Sequence, residues 1–197
     1  MQKLYISTLF IVLVTVAFLG FATNFDAVSK KNQAVVLEWV TKGNLQAEEA
    51  VFAKSFAHAY KDIPLEVLKV TDMNVFLKAA FEDEYLDLNN PSKQMYCVDA
   101  KKDGEVIGFI TFENTQQPNE VYIRQLAVDP SLWGQGVGTT LMSAIFEKLP
   151  DTKRIVLVTR KVNTVAQNFY KKLGFKVSEY IHEGLSPERY MGFELDL

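Results

Sequence analysis

The chain has 197 residues, 48% of them hydrophobic and 23% charged, with a formal net charge of −3. That length suits one domain with a sizeable core plus an appendage. The mild negative charge and the lack of any basic block argue against nucleic-acid binding, and the single cysteine, Cys97, rules out an intrachain disulfide and a cysteine-based zinc site. The two histidines, His58 and His182, are too few and too far apart in sequence to suggest a metal centre.

Residues 1–22 stand apart. Between Leu4 and Ala22 there is no charged side chain, and Leu, Ile, Val, Phe and Thr dominate. Gly20-Phe21-Ala22 has the small-x-small form of a signal-peptidase site. The run is also about the ~18–20 residues that cross a bilayer. A cleaved signal peptide and an uncleaved membrane anchor both fit. Orientation is open as well, since Lys3 lies on one side and Lys30-Lys31 on the other. Residues 23–33 are polar and read as a linker, which leaves 34–197 for the folded domain.

In chain order, residues 34–42 predict a strand ended by Gly43-Asn44, and residues 45–61 a helix. Thr71 or Asp72 can cap a second helix over 73–85, with Val75, Phe76, Ala79 and Ala80 on one face. Residues 89–92 break it. Strands over 95–100 and 105–113 flank Asp103-Gly104, a hairpin turn signal because that turn needs positive φ. A third strand, 121–128, stops at Asp129-Pro130. Helical spacing follows through Val137, Leu141, Ala144, Ile145, Phe146 and Leu149. A buried strand over 154–160, a helix over 163–173 and strands over 176–182 and 189–195 complete the chain.

Between the third strand and its helix lie Gly134, Gly136 and Gly138 on alternate positions. Glycine removes the Cβ from a ligand's path, and a helix start leaves amides unpaired at the positive end of its dipole. Strand, glycine turn and helix together suit a phosphate group. The stretch lacks the third glycine of a dinucleotide site and the Lys-Ser/Thr of a triphosphate loop. In the later helix, Asn163 is a good N-cap, and Val165, Phe169 and Leu173 at i, i+4 and i+8 predict a core face. Asn163, Gln167 and Tyr170 share another face. Gly174 suits a left-handed cap that folds Phe175 back onto Tyr170.

These segments resemble the acyl-CoA-binding core of the GNAT N-acetyltransferase family. Leu126-Ala127-Val128-Asp129-Pro130 and Gly136-Val137-Gly138 match its strand and loop. Asn163, Ala166, Phe169, Tyr170, Leu173, Gly174 and Phe175 match its second signature in register. The order of elements matches over 34–197. Trp133 departs from the pattern, which has Arg or Gln there.

The resemblance implies an α/β fold with a mixed, mostly antiparallel sheet flanked by helices. It implies acetyl-CoA as co-substrate, no metal, and direct transfer to a primary amine in a ternary complex. The pantetheine arm would lie along Leu126, Ala127 and Val128, and the pyrophosphate on the amides of Gln135, Gly136, Val137, Gly138 and Thr139. An amide near Val128 would hold the oxyanion, and Asn163 would join the cofactor site. Tyr170 would be the general acid, since a phenol near pKa 10 suits a leaving thiolate. Glu120, sharing a strand face with Tyr122, is the candidate general base, with Glu113 behind it. The acidic run Glu82-Asp83-Glu84 and Asp87 offers attraction to a cationic acceptor, or simply a solvated helix end. Partners would be an acyl-CoA and a small-molecule or peptide amine, with the membrane added if the N-terminal segment is uncleaved. The alternative is a non-catalytic acyl-CoA-binding or protein-interaction module on the same scaffold, for which Trp133 and the export-like N-terminus speak. Because acetyl-CoA is cytosolic, an exported acetyltransferase would lack its donor; an uncleaved anchor with the domain facing the cytoplasm resolves this, and so does a different extracytoplasmic acyl donor or ligand.

Overall fold

The computed structural model describes residues 35–41, 45–90 and 92–197. The run expected to be a signal peptide or anchor, and the linker after it, lie outside them. Among the described residues no helix is long and apolar enough to cross a membrane.

The strands are β1 Val36–Trp39, β2 Met95–Lys102, β3 Glu105–Asn114, β4 Glu120–Val128, β5 Arg154–Arg160, β6 Lys176–Ser178 and β7 Tyr190–Asp196. The helices are α1 Gln46–Tyr60, α2 Leu65–Leu68, α3 Met73–Asn89, α4 Val137–Lys148 and α5 Thr164–Lys172. The strands form one sheet in the order β1-β2-β3-β4-β5-β7-β6. Every neighbouring pair is antiparallel except β4 with β5. At the β2–β3 turn Asp103 and Gly104 take φ of 52° and 85°, the double positive φ that a two-residue hairpin needs.

The sheet carries a core on each face, because successive strand residues point to opposite sides. One face sets Ile110, Ile123, Leu157 and Phe193 against Leu141 and Ile145 of α4. The other sets Cys97, Phe109 and Ala127 against Phe52 of α1 and Leu77 and Phe81 of α3.

Three sequence expectations change. Asp72 does cap α3, accepting from the Val75 N–H at 2.9 Å, but the buried stripe is Leu77, Phe81 and Leu88 while Val75 is 67% exposed. Apolar residues at 75–77 and 79–81 cover most of that helix's circumference, and only docking selects the inner face. The short α2 was not anticipated; four residues are too few for a period to show. The strand expected over 176–182 stops at Ser178, because the chain turns across β7. The Tyr180 carbonyl there lies so close to Gly192 that any Cβ would collide with it.

What positions the site is how β4 leaves β5. Gln125 pairs with Thr111 and Ile123 with Phe112, so Arg124 is an extra residue, a β-bulge. The Gln125 N–H donates to Thr111 Oγ1 at 3.1 Å. Bulges bend and twist a strand. The β4–β5 pairing runs only from Glu120↔Arg154 to Ile123↔Leu157. Beyond it, β4 stays with β3 as far as Val128, and β5 with β7 as far as Arg160. The two strands therefore part at the bulge, leaving facing edges open.

A buried carboxyl makes stability pH-dependent. Asp99 on β2 is 4% exposed, and its Oδ1 has no hydrogen-bond partner. Burial, then the neighbouring Glu48 carboxyl, push its pKa up to about 7, against the opposing charge of Lys101. An unfolded Asp titrates near ~3.9. The folded chain thus holds an extra proton between about pH 4 and 7, and stability falls as pH rises through that window. Asn at this position needs no proton to remain neutral. Asp99→Asn is expected to raise the thermal midpoint above wild type at about pH 8, with the gap shrinking toward about pH 4. Thermal melts across that range check it; a pH-independent gap counts against a protonated Asp99.

Candidate active site

The parted strands open a cleft of about 1020 Å³. Its walls are Leu126 and Val128 of β4, Val158 and Thr159 of β5, Ser55, Phe56 and Ala59 of α1, the glycine turn, and one face of α5.

The β4 edge has a definite polarity. The Asp129 N–H donates to Ile107 O at 2.8 Å, across to β3. Antiparallel alternation then turns Ala127 toward β3 as well, and the backbone groups of Leu126 and Val128 toward the open edge. Ala127 sends its side chain into the core on the α1 and α3 side. The Val128 carbonyl is already used: the Trp133 indole N–H donates to it at 2.8 Å. His58 of α1 packs edge-on against Trp133, with ring centroids 5.0 Å apart. The residue that departs from the family pattern thus ties the glycine turn to the strand.

Asp129 organises the start of that turn. It accepts from the Ser131 N–H and hydroxyl at 2.9 and 2.7 Å and pairs with Lys54 at 2.6 Å. Lys54, helped by Ser131, holds its carboxyl down at about 2. After the short 3-10 turn Pro130–Leu132, Gly136 is the N-cap of α4 at φ 89°. No side chain caps this helix, and its Thr140 N–H reaches back to Gly136 O. The amides of Val137, Gly138 and Thr139 therefore have no partner within the helix, and all three residues line the cleft. The Gln135 N–H differs: it donates to Leu132 O at 3.3 Å. Gly138 also owes its identity to something other than the ligand path. A Cβ there would press on the Phe169 ring, 3.1 Å away, so the glycine lets α4 and α5 approach.

On α5, Asn163 accepts from the Ala166 N–H at 3.1 Å, as an N-cap should. It also hydrogen-bonds the Tyr60 hydroxyl, which burial pushes up to about 12 despite Arg160 and Asn163. The helix closes with Phe175 N–H on Tyr170 O and Gly174 N–H on Lys171 O, both 3.1 Å, a Schellman cap. Phe175 folds back edge-on to Tyr170, with ring centroids 5.4 Å apart.

The face expected to be core is a cleft wall instead. Val165, Phe169 and Leu173 line the cavity, Val165 is 43% exposed, and the fully buried member of the helix is Tyr170. A wall built for a ligand's apolar parts has the same period as a core. Tyr170 also reaches the cleft. Its hydroxyl has no hydrogen-bond partner among the described residues, and burial alone raises its pKa, so the phenol stays protonated.

Glu120 sits elsewhere. It lies at the first residue of β4, outside the cleft lining, where it accepts from Arg154 Nη1 at 2.9 Å and Thr115 Oγ1 at 2.8 Å. The structure does not bring it together with Tyr170. Of the acidic residues weighed for a cationic acceptor, Glu82 and Asp83 are exposed. Asp87 and Glu113 instead hold Arg124, at 2.6 and 3.0 Å. Sequence reasoning missed Arg124, which the bulge turns into the cleft wall, and the contribution of α1. A bulge leaves no mark in the hydrophobic pattern. Among the described residues no group of three His, Cys, Asp or Glu side chains could hold a metal ion.

Comparison with known proteins agrees with this geometry. The family model described as "Acetyltransferase (GNAT) family" matches residues 57–175, more than half of the chain. The L-2,4-diaminobutyric acid acetyltransferase of Marinococcus halophilus is 32% identical over 122 residues, 52% of this chain and 70% of that protein. The N-acetylaspartate synthetase of Xenopus tropicalis is 32% identical over 76 residues, 38% of this chain and 28% of that protein. Among solved structures, the PaiA N-acetyltransferase of Thermoplasma acidophilum, in complex with coenzyme A, superposes with a TM-score of 0.67 at 18% identity, over 84% of this chain and 100% of that one. An acetyltransferase of Thermus thermophilus gives 0.60 at 14% identity, over 83% and 97%. These structural likenesses establish the shared fold.

Proposed function

The chain belongs to the acetyltransferase (GNAT) family, and from that membership we propose that it moves the acetyl group of acetyl-CoA directly onto a primary amine in one ternary complex. The observation that carries the reading is one continuous cleft. It joins an open strand edge, the amides at the start of α4 that have no partner within the helix, and a buried tyrosine, Tyr170.

Each part has a task in that chemistry. The amides of Val137, Gly138 and Thr139 would receive the pyrophosphate oxygens, with Gly136 allowing close approach. The open backbone groups of Leu126 would pair with the amide-bearing arm as an added strand does, while Val128, whose carbonyl Trp133 already occupies, keeps only its N–H for the ligand. The free Val128 N–H is then placed to stabilise negative charge on the thioester oxygen. Val165, Phe169 and Leu173 exclude water along the arm. Asn163 holds the start of α5, and Tyr170 near its end supplies a proton to the departing thiolate.

The acceptor is a small amine, and amino acids lead the candidates. Both named relatives carry amino acids in their names, and Arg124, Asp87 and Glu113 put both charge signs beside the cleft. The test is thiol release from acetyl-CoA over amino acids, diamino acids, polyamines and peptide N-termini. Turnover with one of these classes is expected. Tight acetyl-CoA binding with no release above background for any amine would leave only the binding-module reading.

A further inference from the structure

Resting on the acetyl-transfer reading, we propose that His182 is the group that takes the proton from the acceptor's ammonium. His182 lies in the segment between β6 and β7, and its ring stacks flat on Tyr122, centroids 4.1 Å apart and planes within 5°. Tyr122 precedes Ile123, the last β4 residue paired with β5. Ile123 points into the core beneath α4, so Tyr122 points to the opposite face. His182 therefore lies against the last paired residues of β4, on the sheet face away from the core beneath α4. It is outside the cleft lining, but Tyr122 beneath it is two residues along the strand from Arg124, which does line the cleft. Donor and acceptor can then meet at the splay from opposite faces of the sheet.

The ring is anchored and half-buried. Nδ1 lies 3.3 Å from the Tyr180 hydroxyl, which leaves Nε2 with no hydrogen-bond partner among the described residues. Gly192 lets the Tyr180 backbone cross β7 closely enough to hold this arrangement. Burial and then the Arg124 charge lower the imidazole's pKa, with a smaller contribution from Lys93, while Glu113 and Glu183 oppose them. His182 is thus neutral at neutral pH and able to accept a proton. Tyr122 faces it from β4 and Tyr180 from its own segment.

The protons balance. R–NH₃⁺ gives one proton to Nε2, and the freed lone pair forms the C–N bond at the thioester carbon. The C–S bond breaks, Tyr170 protonates the thiolate, and the second amine proton replaces it through solvent. The imidazolium then returns its proton to water, one H⁺ per turnover.

Two measurements test this on the full chain. In the pH profile of kcat/KM, wild type should inflect below the ordinary histidine value of ~6.5. His182→Gln should lose that inflection, follow the free amine's pKa instead, and fall about 10²-fold near pH 7. Its acetyl-CoA affinity should be unchanged, and Glu120→Gln should keep the low inflection. If the low inflection survives in His182→Gln, or vanishes in Glu120→Gln, the assignment is overturned. The second readout needs no turnover, so it separates this inference from the acetyl-transfer reading. Nitrogen-15 NMR of the imidazoles, assigned with His58→Gln, should show His182 neutral at pH 7 with its proton on Nδ1. A proton on Nε2, or a charged ring, overturns the proposal.

Discussion

Tyr170→Phe is expected to lower kcat by roughly 10²–10⁴-fold, the usual worth of general acid catalysis, while acetyl-CoA affinity stays within about twofold. The substitution removes only the hydroxyl. The ring keeps its contacts with Phe169, Phe175 and Phe193, and the hydroxyl gives up no hydrogen bond to the described residues. Folding should therefore be unaffected, and the loss should appear in the chemical step. Burial raises the phenol's pKa, so the proton is retained until a thiolate develops beside it. Steady-state kinetics with calorimetry of acetyl-CoA binding separates the two effects. Full activity in the variant would make Tyr170 a packing residue and leave the thiolate to be protonated by water.

Gly136→Ala should weaken acetyl-CoA binding by at least about tenfold, a loss on the scale of one charge-assisted hydrogen bond of ~1.5–3 kcal/mol. Gly136 sits at φ 89°, where an L-residue costs roughly 1–2 kcal/mol. The chain can relieve that strain by turning the peptide, and the turn would redirect the amides that follow. Alanine adds the smallest side chain, a single Cβ on the ligand's path, so it perturbs both the backbone and the approach by the least a substitution can. Stability should drop by no more than the strain. Calorimetric affinity beside a thermal melt checks both quantities, and unchanged affinity in the folded variant would falsify the phosphate-cradle reading.

Much of the architecture was open to inspection in the sequence, for local reasons. The β-branched and apolar run 121–128, the Asp129-Pro130 stop and the glycines that follow mark a strand, a turn and a helix start, and these are properties of neighbouring residues. Asp103-Gly104 carries its own turn geometry, and Asn163 with Gly174-Phe175 carries both caps of α5. Each depends on backbone sterics or on a hydrogen bond spanning a few positions, so composition at those positions suffices. The registered motif from Asn163 to Phe175 also pointed to Tyr170, which the structure places on the cleft wall.

Tertiary structure decided what depends on distant partners. Helical periodicity says that α5 has an apolar face, yet not whether protein or ligand covers it; the parting of β4 and β5 makes Val165, Phe169 and Leu173 a cleft wall. Glycine at 138 reads as ligand clearance until Phe169 is seen against it. Glu120 and Tyr122 share a strand face in any β4. Only the arrival of Arg154 beside one and His182 beside the other gives them different surroundings, an ion pair for the carboxylate and a stacked imidazole for the ring. His182 lies 60 residues after Tyr122 in the chain, and no spacing rule connects them. Their contact follows from the order β5-β7-β6 in the sheet and from Gly192, which lets the chain cross closely enough to lay one ring on the other.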